Sequence, residues 1–323
     1  MEDLTIDKEV PSQFPLVSVV VITYNSSATV IETLDSIKSQ TYKSIELIVT
    51  DDCSHDRTTG VVKQWLNENS SRFVSAELVT SEKNTGVSGN LNRGICSSHG
   101  EWIKSIAGDD LLIPTAIEEY VRFVTNYPEK VRMCVCDVEP FAVEGEELDK
   151  IVKAYKYYFE KESEPYEQQR KRVMTSLVFV GPAFFYSREL FDEIGGYSDK
   201  YGCAEEWPFV YKIIRGGNRI YAINKKLVLY RFQTSSLCNS QDNKGMKNKN
   251  VFLGMYRHYF DCAFKDLFYE GHILIAWHYA LIYWSQRVQY NISSLKLRHL
   301  CRYCFLFFSP LTWLNKLGII KVD

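Results

Sequence analysis

The stretch Ser105-Ile106-Ala107-Gly108-Asp109-Asp110-Leu111 decides how the rest of this chain is read. A β-rich run, Glu101–Ile106, leads into it, and a helical pattern begins beyond it near Pro114. Two adjacent carboxylates therefore stand at the end of a predicted strand. Ligands of open α/β sheets collect at the carboxyl ends of strands. Paired acids there either repel at a cost or share a cation, and carboxylate oxygens suit Mg²⁺ or Mn²⁺, ions that also hold substrate phosphates. A solvated Asp-Asp turn capping the next helix is the simpler reading of the same letters. The neighbouring segments discriminate between the two.

Upstream, Val17–Thr23 is an almost unbroken β-branched run, the pattern of a strand buried on both faces. Tyr24–Ser27 interrupts it, and a helix follows with Val30, Leu34 and Ile37 on one face and Ser26 or Ser27 as its N-cap. A second strand, Glu46–Thr50, runs into Asp51-Asp52-Cys53-Ser54-His55-Asp56, before a helix carrying Val61, Val62, Trp65 and Leu66. A third strand near Val74–Val79 ends towards Asn84-Thr85-Gly86, and a helix with Val87, Leu91 and Ile95 returns the chain to Glu101. Such alternation implies βαβ units and a parallel sheet. Right-handed crossovers bring Tyr24, Asp52 and Asp109/Asp110 to one sheet edge. A nucleotide is the simplest guest for that edge: Tyr24 can cover a base, Asp52 can accept a base N–H, and a cation on Asp110 can neutralise a diphosphate. Neither a Gly-x-Gly-x-x-Gly after the first strand nor a P-loop occurs.

Several ordered blocks resemble family 2 glycosyltransferases of the bacterial polysaccharide and glycan biosynthesis type. They are Pro15–Asn25, Leu34–Tyr42, Ile45–Asp56, Asn84–Gly94, and Gly100–Ile103 with the Asp pair, within a likeness covering about residues 13–235. The resemblance implies a GT-A fold, an α/β architecture with a mostly parallel sheet, in which a nucleotide-sugar half (13–112) joins an acceptor half (113–238). It also implies residue roles. Thr23 and Tyr24, with Asn25 beside them, fall where the family embraces base and ribose. Asp52 matches the acid that reads the base, and Asn84, Gly86 and Arg93 lie in the block lining the nucleotide-sugar site. Asp109 and Asp110 match the metal and ribose motif, with Asp110 the better metal ligand. Many relatives have a further Asp where this chain has Ala107, so coordination would rest on Asp110, diphosphate oxygens and water. Cys53 replaces a small turn residue.

Thr115–Tyr127 reads as a helix and Val131–Val138 as a strand. Residues 151–172 are highly charged with interleaved aromatics, among them Tyr155, Tyr157, Tyr158, Phe159 and Tyr166. They suit either a helix packed over the core or a cover on the acceptor site. Val180–Ser187 has strand character after a Gly-Pro break, and Leu190–Tyr197 reads as a short helix ended by Gly195-Gly196. Next comes Glu205-Glu206, where relatives carry Glu-Asp and use the Asp as general base. Glu206 therefore takes the base position, with Glu205 in reserve, although acids also suit the start of a helix over Glu206–Arg215 for dipole reasons alone. Asn218–Ile223 and Leu227–Arg231 read as two closing strands, and Tyr230-Arg231 matches the family's terminal block. Arg231 either faces the diphosphate or braces an acid.

Composition is that of an ordinary globular chain, 323 residues with 46% hydrophobic and 24% charged, and the net charge of −2 points away from nucleic acid. The start is acidic and lacks an apolar run, and nine cysteines without a paired framework fit a reducing cytosol. Residues 1–12 read as a polar arm. Residues 239–323 read as a helical extension, with helices near Phe252–Phe268, His272–Tyr290 and Leu295–Lys316. From Gly271 to Asp323 six Lys/Arg face one acid, so this tail is +5 and the remainder −7. Its apolar runs fall short of the roughly 20 residues that span a bilayer. Lys296, Arg298 and Arg302 beside Leu300, Phe305, Phe307, Phe308 and Trp313 suit an interfacial helix at the inner face of the cell membrane, or one packed on the core or a second subunit. Cys301-x-x-Cys304 lacks the further ligands of a zinc site and reads as packing.

The expected activity is therefore metal-dependent, inverting transfer from a nucleotide-diphospho sugar, UDP-linked by preference, to a glycan or lipid-linked acceptor. Two alternatives share part of the pattern. A non-catalytic nucleotide-sugar-binding scaffold fits the Ala107 and Glu206 departures, and a nucleotidyltransferase fits the sheet and metal acids but lacks a Gly-rich activation loop.

Overall fold

A computed structural model describes residues 14–127, 129–141, 165–175, 180–202, 204–232, 249–292 and 294–317. The polar arm, most of the charged 151–172 segment and residues 239–248 at the start of the extension lie outside these. One eight-stranded sheet carries the fold. Its strands are β1 (Val17–Thr23), β2 (Ile45–Asp51), β3 (Ser75–Thr80), β4 (Trp102–Ala107), β5 (Leu111–Leu112), β6 (Met133–Phe141), β7 (Phe184–Ser187) and β8 (Tyr221–Arg231), in the order β3-β2-β1-β4-β7-β6-β8-β5.

The first four strands pair in parallel, as the alternating sequence requires. Helices α1 (Val30–Lys38), α2 (Thr58–Asn69) and α3 (Gly86–Cys96) make the crossovers. Val17, Val19, Val20 and Val21 are fully buried, which is why β1 tolerates no polar alternation beyond Ser18. Direction changes at β7, antiparallel to both β4 and β6, while β8 again runs parallel to β6. The antiparallel step has a consequence for the site. The turn Gly181–Ala183, which enters β7, lies at the same sheet edge as the carboxyl end of β4.

Around this sheet pack α4 (Ala116–Asn126), α5 (Tyr166–Thr175), α6 (Arg188–Ile194) and α7 (Glu206–Arg215). Gly195 adopts the expected left-handed cap of α6, with φ 69°. Tyr166, the described aromatic of the charged segment, donates its hydroxyl to Ile214 O at 2.6 Å and so packs on α7; its aromatic companions 155–159 lie outside the described residues.

Two local expectations need correction. The cap of α1 is Thr29, not Ser26 or Ser27. Both serines pin the loop instead: Ser26 N–H donates to Thr58 Oγ1 at 2.8 Å and Ser27 N–H to Asp56 Oδ2 at 3.1 Å. The two closing strands are one, β8, because the pairing with β6 absorbs extra residues between Ile223 and Lys226 as a register shift.

The extension forms α8 (Lys249–His258), a π-helical turn (Tyr259–Ala263), α9 (Phe264–Tyr269), α10 (Ile273–Gln289), α11 (Leu295–Phe307) and α12 (Pro310–Lys316). Its inner face packs on α7. Trp207 meets His258, Tyr259 and Tyr283, and Tyr211 O–H donates to Asp266 Oδ2 at 2.5 Å. Gly254 is required by close approach, since a Cβ there would strike the Tyr201 carbonyl. The packing reading of the tail thus holds for this face. His258 is caged by Tyr201, Trp207 and Tyr211, and burial pulls its pKa down to about 4. No helix among the described residues is long and apolar enough to cross a membrane.

Candidate active site

Three loops converge where β1, β2 and β4 end. Register places Thr23 opposite Asp51 and Ile22 opposite Ala107, so the residues after each strand emerge at one level. The loop after β1 is held from within. Thr23 is buried and donates its hydroxyl to Asp51 Oδ2 at 2.8 Å, while Asn25, at φ 52°, accepts the His55 N–H at 2.8 Å. Tyr24 stands between them with 47% of its surface exposed, an aromatic face open to the edge.

Asp52 organises the neighbouring loop. Its carboxylate accepts Thr85 N–H at 2.9 Å, Thr85 O–H at 2.6 Å, Gly86 N–H at 2.8 Å and Arg93 Nη2 at 3.0 Å. Burial pushes its pKa up, but the bonds from Thr85, Arg93 and Gly86 more than reverse this, and it lies below the ordinary value. Gly86 sits at φ 76°, a conformation glycine supplies without strain. Asn84 Oδ1 also accepts the Gly86 N–H, at 3.0 Å. Arg93 spreads its guanidinium over Asp52, Asn90 Oδ1, Thr85 Oγ1, Thr50 Oγ1 and Asp51 O. Asp52 and Arg93 thus form the frame of the Asn84–Gly86 loop.

The Asp pair is held from the far end of the sheet. Asp110 is 1% exposed, and its Oδ1 accepts the Arg231 N–H at 2.8 Å. Arg231 also donates Nε to Asp109 O at 2.8 Å and Nη2 to Glu32 Oε2 at 2.5 Å. Of its two readings, the bracing one is seen. Burial, then the Asp109 charge, raises the pKa of Asp110 well above the ordinary value, and burial raises that of Asp109. A buried and a half-buried carboxyl that are costly to charge together offer the kind of oxygen donors a hard divalent cation favours. Among the described residues no third His, Cys, Asp or Glu completes a metal cluster.

The second acidic pair opens α7. Glu206 Oε1 accepts the Gly181 N–H at 2.5 Å, so the carboxylate rests on the turn entering β7. Glu205 Oε2 is buried without a hydrogen-bond partner among the described residues. Burial, then the Glu206 charge, pushes the Glu205 pKa up to about 8. The pair is therefore asymmetric: Glu205 keeps a proton at neutral pH. Three participants escaped the sequence reading: Gly181, Lys104 on β4, and Glu32. A lysine inside the apolar run Trp102–Ile106 was a visible signal for the second. The Gly-Pro break marked a turn at Gly181 but not its contact with Glu206, and nothing in the sequence marks Glu32.

Comparison with known proteins bears on the family and the fold. A family model described as Glycosyl transferase family 2 matches residues 18–195. An uncharacterized glycosyltransferase of Haemophilus influenzae is 26% identical over 229 residues, 70% of this chain and 72% of that protein. The succinoglycan biosynthesis protein ExoO of Rhizobium meliloti is 30% identical over 107 residues, 33% of this chain and 29% of that protein. Among solved structures, S. aureus TarS 1–349 superposes with TM-score 0.57 at 18% identity, covering 95% of this chain and 93% of TarS 1–349; it has also been solved with UDP and with UDP-GlcNAc. The mannosyltransferase PcManGT of Pyrobaculum calidifontis, solved with GDP-Man and Mn²⁺, gives 0.53 at 17% identity, covering 96% and 89%. The sheet with its C-terminal helices is thus of GT-A type. Joined with the ordered blocks of sequence, these matches make the chain a glycosyltransferase that belongs to glycosyl transferase family 2.

Proposed function

We propose that the chain transfers a sugar, with inversion, from a UDP-linked donor to a hydroxyl of a glycan or lipid-linked glycan. Residues 13–112 hold the donor and residues 113–238 the acceptor. Tyr24 covers the base. Asp52, Asn84, Gly86 and Arg93 shape the nucleotide pocket, with Thr23 and Asn25 fixing the loop behind it. Asp109 faces the ribose, and Asp110 with Asp109 would hold Mg²⁺ or Mn²⁺. Such an ion, when bound, supplies Lewis-acid stabilisation of the departing diphosphate. Glu206 takes the acceptor hydroxyl proton as that oxygen bonds to the anomeric carbon. The bond from the anomeric carbon to the diphosphate oxygen breaks, and the nucleoside diphosphate leaves with the electron pair. Attack from the face opposite the leaving group inverts the centre.

One observation carries this reading. The acids after β4 and the Gly181 turn bearing Glu206 border the same edge of two paired strands. Bound UDP in TarS supports the donor class, bound Mn²⁺ in PcManGT supports the metal, and the name of ExoO supports a polysaccharide product. The test is nucleoside diphosphate release from a panel of nucleotide sugars with a lipid-linked acceptor extract, with Mn²⁺, Mg²⁺ or EDTA. Acceptor-stimulated release abolished by EDTA is expected. Folded protein that binds no nucleotide sugar would overturn the proposal.

The outer face of the extension rests on the inner surface of the cell membrane. Leu297, Leu300, Tyr303, Phe307 and Phe308 of α11 and its C-terminal end are exposed, as are Lys296, Arg302 and Lys316. No acid occurs between Gly271 and Val322. A second copy of this face would meet like charge, whereas anionic lipid complements it. Flotation with phosphatidylglycerol vesicles should recover the protein at low salt, and phosphatidylcholine vesicles should recover less. Equal failure on both, with a dimer in solution, would assign the face to a second subunit.

A further inference from the structure

Lys104 is the one cation in β4, and it is fully buried. Its side chain reaches neither solvent nor an acid at bonding distance among the described contacts. Its ammonium instead donates to Ser105 O at 3.0 Å, to Phe184 O at 3.3 Å and, most closely, to Pro182 O. Two of these acceptors belong to the turn entering β7 and to that strand's first residue. The turn is further anchored by Tyr120, whose hydroxyl donates to Ala183 O at 3.1 Å. The residue before Pro182 is Gly181, and Gly181 N–H is the donor that holds Glu206 Oε1. A chain of direct contacts thus runs from the strand that carries the metal acids to the carboxylate on α7.

We infer that Lys104 is a positioning residue for the transfer step: it pins the Gly181–Ala183 turn to β4, and the turn fixes the Glu206 carboxylate against the donor edge. The inference rests on the reading of Glu206 as base. A buried ammonium is a costly way to fill space. Replacing a buried charge with an apolar group of similar volume is often neutral or stabilising, so packing alone gives no reason for lysine here. Its three carbonyl acceptors offset that cost, and burial still lowers its pKa to about 8. What lysine supplies and methionine cannot is a set of N–H donors reaching across to Pro182 O. An unpinned turn lets the base drift, and a displacement of about 1 Å near reacting atoms can cost on the order of 100-fold in rate.

The test is a kinetic cycle on the full chain with Lys104→Met, Glu206→Asp and the double variant. Lys104→Met is expected to lower kcat by roughly 10-fold to 100-fold while the donor KM stays unchanged. In the Glu206→Asp background, where the shortened side chain no longer meets the Gly181 N–H, adding Lys104→Met should cost little more. Loss of donor affinity in parallel with kcat, or full multiplication of the two single effects, would reduce Lys104 to a general structural part and overturn the inference. Gly181→Ala serves if Lys104→Met does not fold. It keeps the lysine but sets a Cβ 2.8 Å from Glu206 Oε1, and the same kcat loss at constant donor KM is expected. Wild-type kcat in Gly181→Ala would overturn the inference in that case. Glu206→Gln separates the two levels. If it keeps full turnover, the base assignment falls and the inference with it. If it is inactive while Lys104→Met has wild-type kcat, the inference alone falls.

Discussion

Helix α1 beside the sheet and helix α11 in the extension are both amphipathic, yet their apolar residues end in different surroundings. Val30, Leu34 and Ile37 of α1 are 0% exposed, whereas Leu297, Leu300 and Tyr303 of α11 are 56%, 58% and 71% exposed. The contrast extends to whole regions. Of the sixteen large hydrophobic residues exposed among the described ones, thirteen lie from Phe268 onward. The catalytic sheet closes its core on itself. The extension is two-sided, with an inner face that seals α7 and an outer face that is exposed among the described residues. Fully burying one such side chain is worth about 1.5–3 kcal/mol. From Gly271 to Val322 these bare side chains have cations and no acids among them, which supports the membrane-facing surface proposed above.

Four perturbations break or sharpen that contrast. The largest effect belongs to the sheet: Asp110→Asn should cut metal-supported turnover by ~10²–10³, roughly 3–4 kcal/mol, read as kcat against Mn²⁺ concentration. Next is the seam. Gly254→Ala forces α8 away from Tyr201 and should cost about 1–3 kcal/mol in urea unfolding, because overpacking cannot be relieved at a backbone contact. An unchanged unfolding midpoint would mean that the extension is loosely attached.

A pH effect comes third. Glu205 has a folded pKa of about 8, against about 4.3 for an unfolded Glu. Between those values the folded chain keeps the proton and the unfolded chain releases it, so the contribution of this group falls as pH rises through the window. Stability of the wild type should therefore drop more than that of Glu205→Gln between pH 5 and pH 8, in matched denaturant titrations. The smallest effect on stability, within about 0.5 kcal/mol, is expected for Lys296→Glu with Arg302→Glu on the outer face. The same pair should nevertheless abolish flotation with anionic vesicles. A stability loss without a flotation loss would reverse the assignment of that face.

Much of the fold was legible in the sequence because its signals are local. Unbroken β-branched runs announce strands buried on both faces, and the helix Glu206–Arg215 falls where the letters place it. Misreadings arose where a tertiary partner took over a local role. Ser26 and Ser27 hold the loops near α2 instead of capping α1, and Asn224 and Lys225 are absorbed by a bulge against β6 rather than separating two strands. The site divides in the same way. Acids that follow strands could be named from order alone. The employment of Asp52 and Arg93 in framing a loop, and the bracing of Asp109 and Asp110 by Arg231, depend on segments 33 to 122 residues apart.

The most direct test compares Glu206→Gln with Glu205→Gln in one assay, measuring nucleoside diphosphate release and donor binding side by side. Glu206→Gln should retain donor binding and lose acceptor-stimulated release, while Glu205→Gln, which replaces a carboxyl already protonated at neutral pH, should retain most of it. Full turnover in Glu206→Gln, with loss in Glu205→Gln, would contradict the assignment of the base and with it the proposed chemistry of this edge.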